Sequence, residues 1–368
     1  MRTQKDIEKL CANFSIPGDF VSAEPYGSGH INDTFAVVYS QAGSLIRYIL
    51  QRINTEIFRY PASLMENIRR VTEHLHRKSA GSRSTLTLVP ALDGRVWFRD
   101  GEDNCWRVYL FIEHAKSYDV LETEEQAFEA ARAFGKFQAD LVDLPGRLAE
   151  TIPDFHNTPK RIAQLEEAVR VDSCGRVRSA EAEIEFILSR KEEADTLLKL
   201  NREGAIPERI THNDTKLNNV LIDVETGRGI CVIDLDTVMP GLVHYDFGDM
   251  VRTGTSPAAE DERDLDKVTM RFPMFEELLS GYCAYAGAFL NPVELEYLPF
   301  SGKLITLEIG ARFLADYLSG DTYFKTHREG HNLDRARTQI ALVRSIEEQM
   351  DHSGFPQYAE AHRPARRG

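Results

Sequence analysis

The sequence predicts an α+β protein of two lobes: a small N-terminal antiparallel sheet lobe over residues 1–112, then a larger, mainly helical lobe over 113–368. Three observations carry that expectation. Short runs rich in β-branched and aromatic residues are confined to the first third of the chain. Long stretches with helical spacing fill most of the remainder. A chain of 368 residues also exceeds the usual size of one domain.

Residues 34–39 and 45–51 read as strands joined at the turn Gln41-Ala42-Gly43. Pro61 then opens a helix, in which Leu64, Ile68, Val71 and Leu75 recur on one face up to Gly81. Strands resume at 85–89, 95–99 and 106–112, with Asp93-Gly94 turning between the first two. Beyond Glu113, helices are expected at 124–142, 159–171, 180–201, 274–289, 292–318 and 333–350. The acidic run 260–266 reads as a solvated loop, and the basic stretch 363–367 as a frayed terminus.

Lys and Arg total 44 against 58 Asp and Glu, a net charge of −14, which argues against nucleic acid as a partner. With 42% hydrophobic and 28% charged residues the chain is not mainly disordered. A charged start and the lack of any 18-residue apolar run argue against a secretory signal or a membrane partner, so a cytoplasmic protein is expected, as a monomer or weak homodimer. Cys11, Cys105, Cys174, Cys231 and Cys283 lie far apart without a CxxC pair, and read as reduced thiols rather than disulfides or zinc ligands.

The chemistry concentrates in Ile210-Thr211-His212-Asn213-Asp214-Thr215-Lys216-Leu217-Asn218-Asn219, followed by two short apolar strands around a glycine-containing turn and by Ile233-Asp234-Leu235-Asp236. If the six-residue loop 224–229 is symmetric, Asn219 falls opposite Asp234. An amide oxygen and a carboxylate so placed can share a hard divalent cation. Asp214, in the irregular segment before the first strand, suits a base or an orienting group for a nucleophile. Lys216 can place a compact positive charge on a transferring phosphoryl group. These are the parts phosphoryl transfer needs. Asp236 has three readings: a second cation site, a local cap or a solvent-facing acid. His212 suits propping the loop.

His212-Asn213-Asp214-x-Lys216-x-x-Asn219 with Ile233-Asp234-Leu235-Asp236 resembles the catalytic and metal-binding motifs of the aminoglycoside phosphotransferase and choline kinase superfamily, which shares the protein kinase fold. The resemblance implies Asp214 as catalytic base, Asn219 and Asp234 as Mg2+ ligands, and ATP in the cleft between the lobes. Gly27 and Gly29, in Tyr26-Gly27-Ser28-Gly29-His30, would let backbone approach phosphate closely. Superfamily members carry a cation on the strand after that loop, where Arg52 stands; Glu66 is its favoured helix partner, with Glu73 a competitor. Phe111-Ile112-Glu113 would form the hinge that holds adenine.

Further stretches, among them Leu50-Gln51-Arg52-Ile53-Asn54, Asp234 to Gly241, Glu308 to Phe324 and His331-Asn332-Leu333, are similar to those of the bacterial N-acetylhexosamine 1-kinases. That resemblance implies ATP and an N-acetylhexosamine as partners, with transfer to the anomeric hydroxyl. Glu308, Arg312 and Asp316 recur at i, i+4 and i+8 on one helix face, either as a salt-bridge ladder or as sugar contacts. Arg312 offers a forked donor array, and Tyr323 a planar apolar face with a polar tip. His30 and Asp33 would close over the sugar from the small lobe, and Thr237 would offer a hydroxyl beside Asp214. Asp246 and Asp249 are expected to hold the catalytic loop and cap the following helix.

Overall fold

In the computed structural model, which describes residues 2–27, 31–79, 81 and 83–353, the first lobe is built on one antiparallel sheet. A capping box of Thr3 and Asp6 starts helix α1 (Gln4–Cys11). Strands β1 (Asp19–Pro25), β2 (Asp33–Gln41) and β3 (Ser44–Ile53) follow, then α2 (Pro61–Lys78), β4 (Leu88–Val89), β5 (Phe98–Arg99) and β6 (Cys105–Leu110). The spatial order is β1-β2-β3-β6-β4, with β5 paired to β6. Side-chain alternation gives the sheet two covered faces. Tyr48, Leu50, Trp106 and Val108 meet Ile7, Leu10 and Cys11 of α1, whereas Ile53, Cys105 and Tyr109 meet Leu64, Met65 and Ile68 of α2.

The second part begins with β7 (Ala115–Lys116), whose partner is not in the first sheet but β9 (Val220–Asp223), itself paired with β10 (Gly229–Val232). Helices α3 (Glu124–Leu141) and α4 (Thr158–Val171) come next. The helix expected over 180–201 is broken into α5 (Glu181–Leu188), a 3-10 turn and α6 (Thr196–Arg202). Ser189 bonds back to the Phe186 carbonyl, and Arg190 swings out to Glu347 at 2.9 Å, so side chains take over the backbone's partners at the break. Strand β8 (Arg209–Thr211) pairs with β11 (Met239–Gly241), and four helices close the chain: α7 (Val243–Gly254), α8 (Phe272–Ala286), α9 (Pro292–Leu318) and α10 (His331–Ser353). No described helix is long and apolar enough to cross a membrane.

Helix α7 escapes periodicity because Val243 through Arg252 are buried on every side, which erases the one-sided stripe that marks a surface helix. The acidic run is not simply solvated either. Glu260 pairs with Arg252 at 3.0 Å, and Asp261 with Arg328 at 3.0 Å. The basic stretch 363–367 lies outside the described residues. Four of the five cysteines are buried and Cys174 is exposed, all as free thiols.

Helices α3 and α8 cross closely because two glycines face the opposing backbone. A Cβ at Gly281 would lie 2.2 Å from the Phe128 carbonyl oxygen, and one at Gly135 would lie 2.4 Å from that of Tyr282. Alanine ordinarily favours a helix interior over glycine by about 1 kcal/mol. Here Gly281→Ala is expected to destabilise by about 1–3 kcal/mol, because the backbone it meets cannot step aside; thermal unfolding measures it.

Candidate active site

The segment from His212 to Asn219 leaves β8 and is held from below by α7. Asp246 accepts the backbone N–H groups of His212 at 2.8 Å and Asn213 at 2.7 Å, and its own carbonyl accepts the Thr215 hydroxyl. Asn213 sits at φ +64° and Asp234 at φ +58°, two non-glycine residues in the left-handed region. Such conformations persist only where the surroundings hold them, and they gather at functional sites. The Asn213 amide donates to the Thr237 carbonyl at 2.9 Å, tying this loop to the one after β10. His212 is fully buried against Phe134 and Phe137. Its Nδ1 accepts the Asp214 N–H at 3.3 Å, so Nε2 carries the proton and donates to the Ile233 carbonyl at 2.9 Å. It props both loops and contacts no open space.

Asp214, Lys216 and Asn219 come together. Lys216 Nζ lies 3.2 Å from the Asp214 carboxylate, and the Asn219 amide donates to the Asp214 carbonyl at 2.8 Å and to its carboxylate at 3.3 Å. Burial raises the Asp214 carboxyl, but the charge and hydrogen bond of Lys216 lead the effects that outweigh it and hold the group below its ordinary value. The hairpin register differs by one from the symmetric expectation: a bulge falls between Gly229 and Cys231, Val232 opposes Val220, and Ile233 rather than Asp234 bonds to Asn219. Asp234 reaches the same neighbourhood through its left-handed turn. Although the residue is exposed, its carboxyl is pushed from an ordinary 3.8 up to about 6 by desolvation between the neighbouring loops, then by the charges of Asp236 and Asp214. An acid destabilised in its charged form by two further acids, with no ion pair or hydrogen bond to it among the described residues, is a fitting donor for a divalent cation.

The small lobe corrects several expectations. Arg52 does not pair with Glu66 or Glu73. It is directly opposite Asp33 across β2 and β3 and bonds it at 2.7 Å, with Asn104 at 3.2 Å. Alternation explains this: Gln51 occupies the sheet face toward α2, so Arg52 falls on the other. Glu66 and Glu73 are both taken by Arg69, one turn away on the same helix, at 2.7 and 2.8 Å. Asp33, committed to Arg52, is thereby withdrawn from the cleft. Its neighbour Asn32 is the residue that crosses it, donating to Asp236 at 2.7 Å while accepting the Asn54 N–H at 3.0 Å. The other Asp236 oxygen is paired with the fully buried Arg107, so Asp236 holds a cation of the protein rather than a free metal position. Gly27 adopts φ +79° with open space around it; Gly29 and His30 lie outside the described residues. At the junction of the lobes, Glu113 binds Arg47 at 2.9 Å, and Arg47 lies 3.8 Å over the Phe111 ring. The Phe111 N–H is already bonded to the Arg47 carbonyl.

On the helical side, Glu308 is also corrected: it is fully buried and does not line the cavity that Arg312 faces. It accepts from His156 Nδ1 at 2.9 Å and from the Thr158 hydroxyl at 2.7 Å. His156 Nε2 meets the Asn213 carbonyl at 3.0 Å, so both its partners are acceptors and the ring carries two protons. Burial lowers the His156 value, but Glu308 and the carbonyl raise it further. This pair anchors the residue before Asp214 to α9. Glu308→Ala is expected to cost about 3–5 kcal/mol in urea unfolding by stranding the buried imidazolium. Asp316 is likewise spent, accepting the N–H groups of Thr322, Tyr323 and Phe324 and the Asn332 amide.

Arg312, between those two acids, does face open space. It lines a cavity of about 640 Å³ with Arg161, Tyr323 and Phe324, and lies 5.5–5.9 Å from the centroids of Phe155, Tyr323 and Phe324. Tyr323 is exposed. Thr237 is 92% buried, yet its hydroxyl has no partner among the described residues.

Asn32, Arg107 and His156 were missed because nothing local distinguishes them; a charge inside the apolar run 105–110 was the one available signal for Arg107.

Comparison with solved structures finds the same architecture in other proteins. A microcompartment-associated aminopropanol kinase superposes with a TM-score of 0.59 at 17% identity, covering 95% of this chain and 98% of that one. A choline kinase from Cryptosporidium parvum Iowa II gives 0.55 at 14%, covering 96% and 98%. Spectinomycin phosphotransferase in complex with ADP and spectinomycin gives 0.51 at 15%, covering 98% of both chains. At these identities the likeness establishes the bilobal kinase-like fold. Independently, the family model described as the phosphotransferase enzyme family matches residues 22–275, which include the glycine turn, Arg107, Asp214, Asn219 and Asp234. The chain belongs to the phosphotransferase enzyme family.

Proposed function

We propose that this phosphotransferase is a cytoplasmic, ATP-dependent sugar kinase that phosphorylates the anomeric hydroxyl of an N-acetylhexosamine. The observation that carries the choice of acceptor is the charge of the cavity wall. Arg161 and Arg312 face it, Arg161 Nε is buried without a partner among the described residues, and the two guanidinium groups disfavour each other. The nearby acids are spent: Asp316 on backbone N–H groups, Glu167 on Arg170 at 2.8 Å. A cationic acceptor such as choline finds no free carboxylate there, whereas a neutral acceptor rich in oxygens finds forked donors and the Tyr323 ring.

The chain divides between residues 112 and 113. The first lobe and the hinge at Phe111 and Glu113 receive ATP, and the second holds the chemistry. Asn219 and Asp234 would hold Mg2+, which when bound neutralises charge on the phosphate oxygens. Asp214 accepts a hydrogen bond from the acceptor hydroxyl and aims it along the line of transfer. Since the anomeric hydroxyl is more acidic than other sugar hydroxyls, orientation is the larger part of that role. Lys216 holds Asp214 charged and presents its ammonium to the transferring group. The Thr237 hydroxyl and Arg312 orient the sugar.

The test is ATP turnover across a panel of N-acetylglucosamine, N-acetylgalactosamine, their methyl glycosides, choline and an aminoglycoside. Turnover with the free sugars alone is expected. Equal turnover with the methyl glycosides, or preference for a cation, overturns the reading.

A further inference from the structure

A nucleotide site in the kinase-like cleft needs a protein cation for the phosphates, and Arg52, turned to the far face of the sheet, does not supply it. The face toward the cleft carries a different pair. Gln51 and Arg107 are direct cross-strand partners on β3 and β6, with Arg107 Nε donating to the Gln51 amide oxygen at 3.0 Å. Gln51 in turn donates to the Thr34 hydroxyl at 3.1 Å, on the strand that leaves the glycine turn. Arg107 is 99% buried, and one terminal nitrogen pairs with Asp236. Its other terminal nitrogen makes no hydrogen bond among the described residues and keeps a small solvent-accessible surface, so its donors are open to a ligand. The Asp234 charge is close enough to favour the protonated guanidinium.

We propose that Arg107, held in place by Asp236 and Gln51, is the small-lobe cation that contacts the phosphates of the bound nucleotide, taking on β6 the part that Arg52 does not play on β3. Three features support it together. The Asp234 charge acts on the guanidinium, one terminal nitrogen keeps its donors unspent, and its partner Asp236 is also bound by Asn32, the residue before β2. Asp236 therefore serves as a positioning residue: it orients the fork and stops Arg107 from neutralising Asp234 directly. This inference rests on the kinase reading and refines its nucleotide site.

The test is calorimetric binding of ADP and of adenosine to the full chain, comparing wild type with Arg107→Met, Arg52→Met and the double variant Arg107→Met/Asp236→Asn. The double variant removes both charges, so no acid is left stranded if the single variant folds poorly. Loss of charge-assisted contacts to phosphate predicts ADP binding weakened at least about tenfold by both Arg107 variants, with adenosine binding unchanged and Arg52→Met neutral for both. Equal weakening of ADP and adenosine would reassign Arg107 to holding the lobes together, and unchanged ADP binding in the folded double variant would overturn the inference outright. Wild type that binds neither ligand would instead refute the kinase reading itself, which separates the two failures.

Discussion

Asp214→Asn is expected to lower kcat by about 10²–10⁴-fold while leaving affinity for ATP nearly unchanged. Asparagine fills the same space and still accepts from Asn219 and Lys216, so the loop held by Asp246 and His212 should keep its shape. What is removed is the charged oxygen that receives the acceptor's hydroxyl. Lys216 keeps that oxygen ionised across the neutral range, so wild-type turnover should not fall until the pH drops well below neutrality. Single-turnover kinetics with a matched nucleotide titration separates the two effects. A variant at near-normal rate would remove Asp214 from the chemistry.

A second large effect is expected at Asp234, and it has two faces. Asp234→Asn should lose magnesium-dependent turnover by about 10³-fold or more, because the cation supplies several kcal/mol of charge stabilisation. The same variant should be more stable than wild type when no divalent cation is present. The sign follows from linkage. The folded chain raises this carboxyl from 3.8 to about 6, so the folded state binds the proton more tightly than the unfolded one. Wild-type stability is then highest below the unfolded value and declines as pH rises from about 4 through about 6, as Asp234 ionises beside Asp236 and Asp214. Asp234→Asn should flatten that decline, and Mg2+ should raise the melting temperature of wild type at pH 7 but not of the variant. If Asp234→Asn instead melts earlier in chelator, Asp234 is a structural acid with a partner it needs.

What the sequence made legible, and what it did not, divides by the range of the interactions. Leu64, Ile68, Val71 and Leu75 of α2 are all buried as their spacing implies, and the loop from His212 to Asn219 gathers its carboxylate, lysine and amide within one short segment. Those features are written in neighbouring residues. The hairpin register was not, because the turn is tighter than a symmetric 224–229 loop, pairing Ile222 with Gly229 instead of Cys231, and the bulge at Ile230 recovers only one of those two residues. Arg52 stands one residue from the cleft-facing position, and in a strand that single step changes the face. Arg107 reaches Asp236, and His156 reaches Glu308, across 129 and 152 residues of chain. No local pattern encodes such pairs. The spacing of Glu308 and Asp316 leaves a salt-bridge ladder and sugar contact both open, and the structure uses it for neither: it anchors α9 to the loop before Asp214 and to the turn after the helix.

The proposed reaction is transfer to the anomeric oxygen of an N-acetylhexosamine. Phosphorus–proton correlated NMR of the product formed from ATP, Mg2+ and N-acetylglucosamine or N-acetylgalactosamine tests this most directly. A single new phosphate ester is expected, with its phosphorus coupled to the anomeric proton. Coupling to protons at C3, C4 or C6, or no sugar phosphate while a cationic acceptor is phosphorylated, would contradict it.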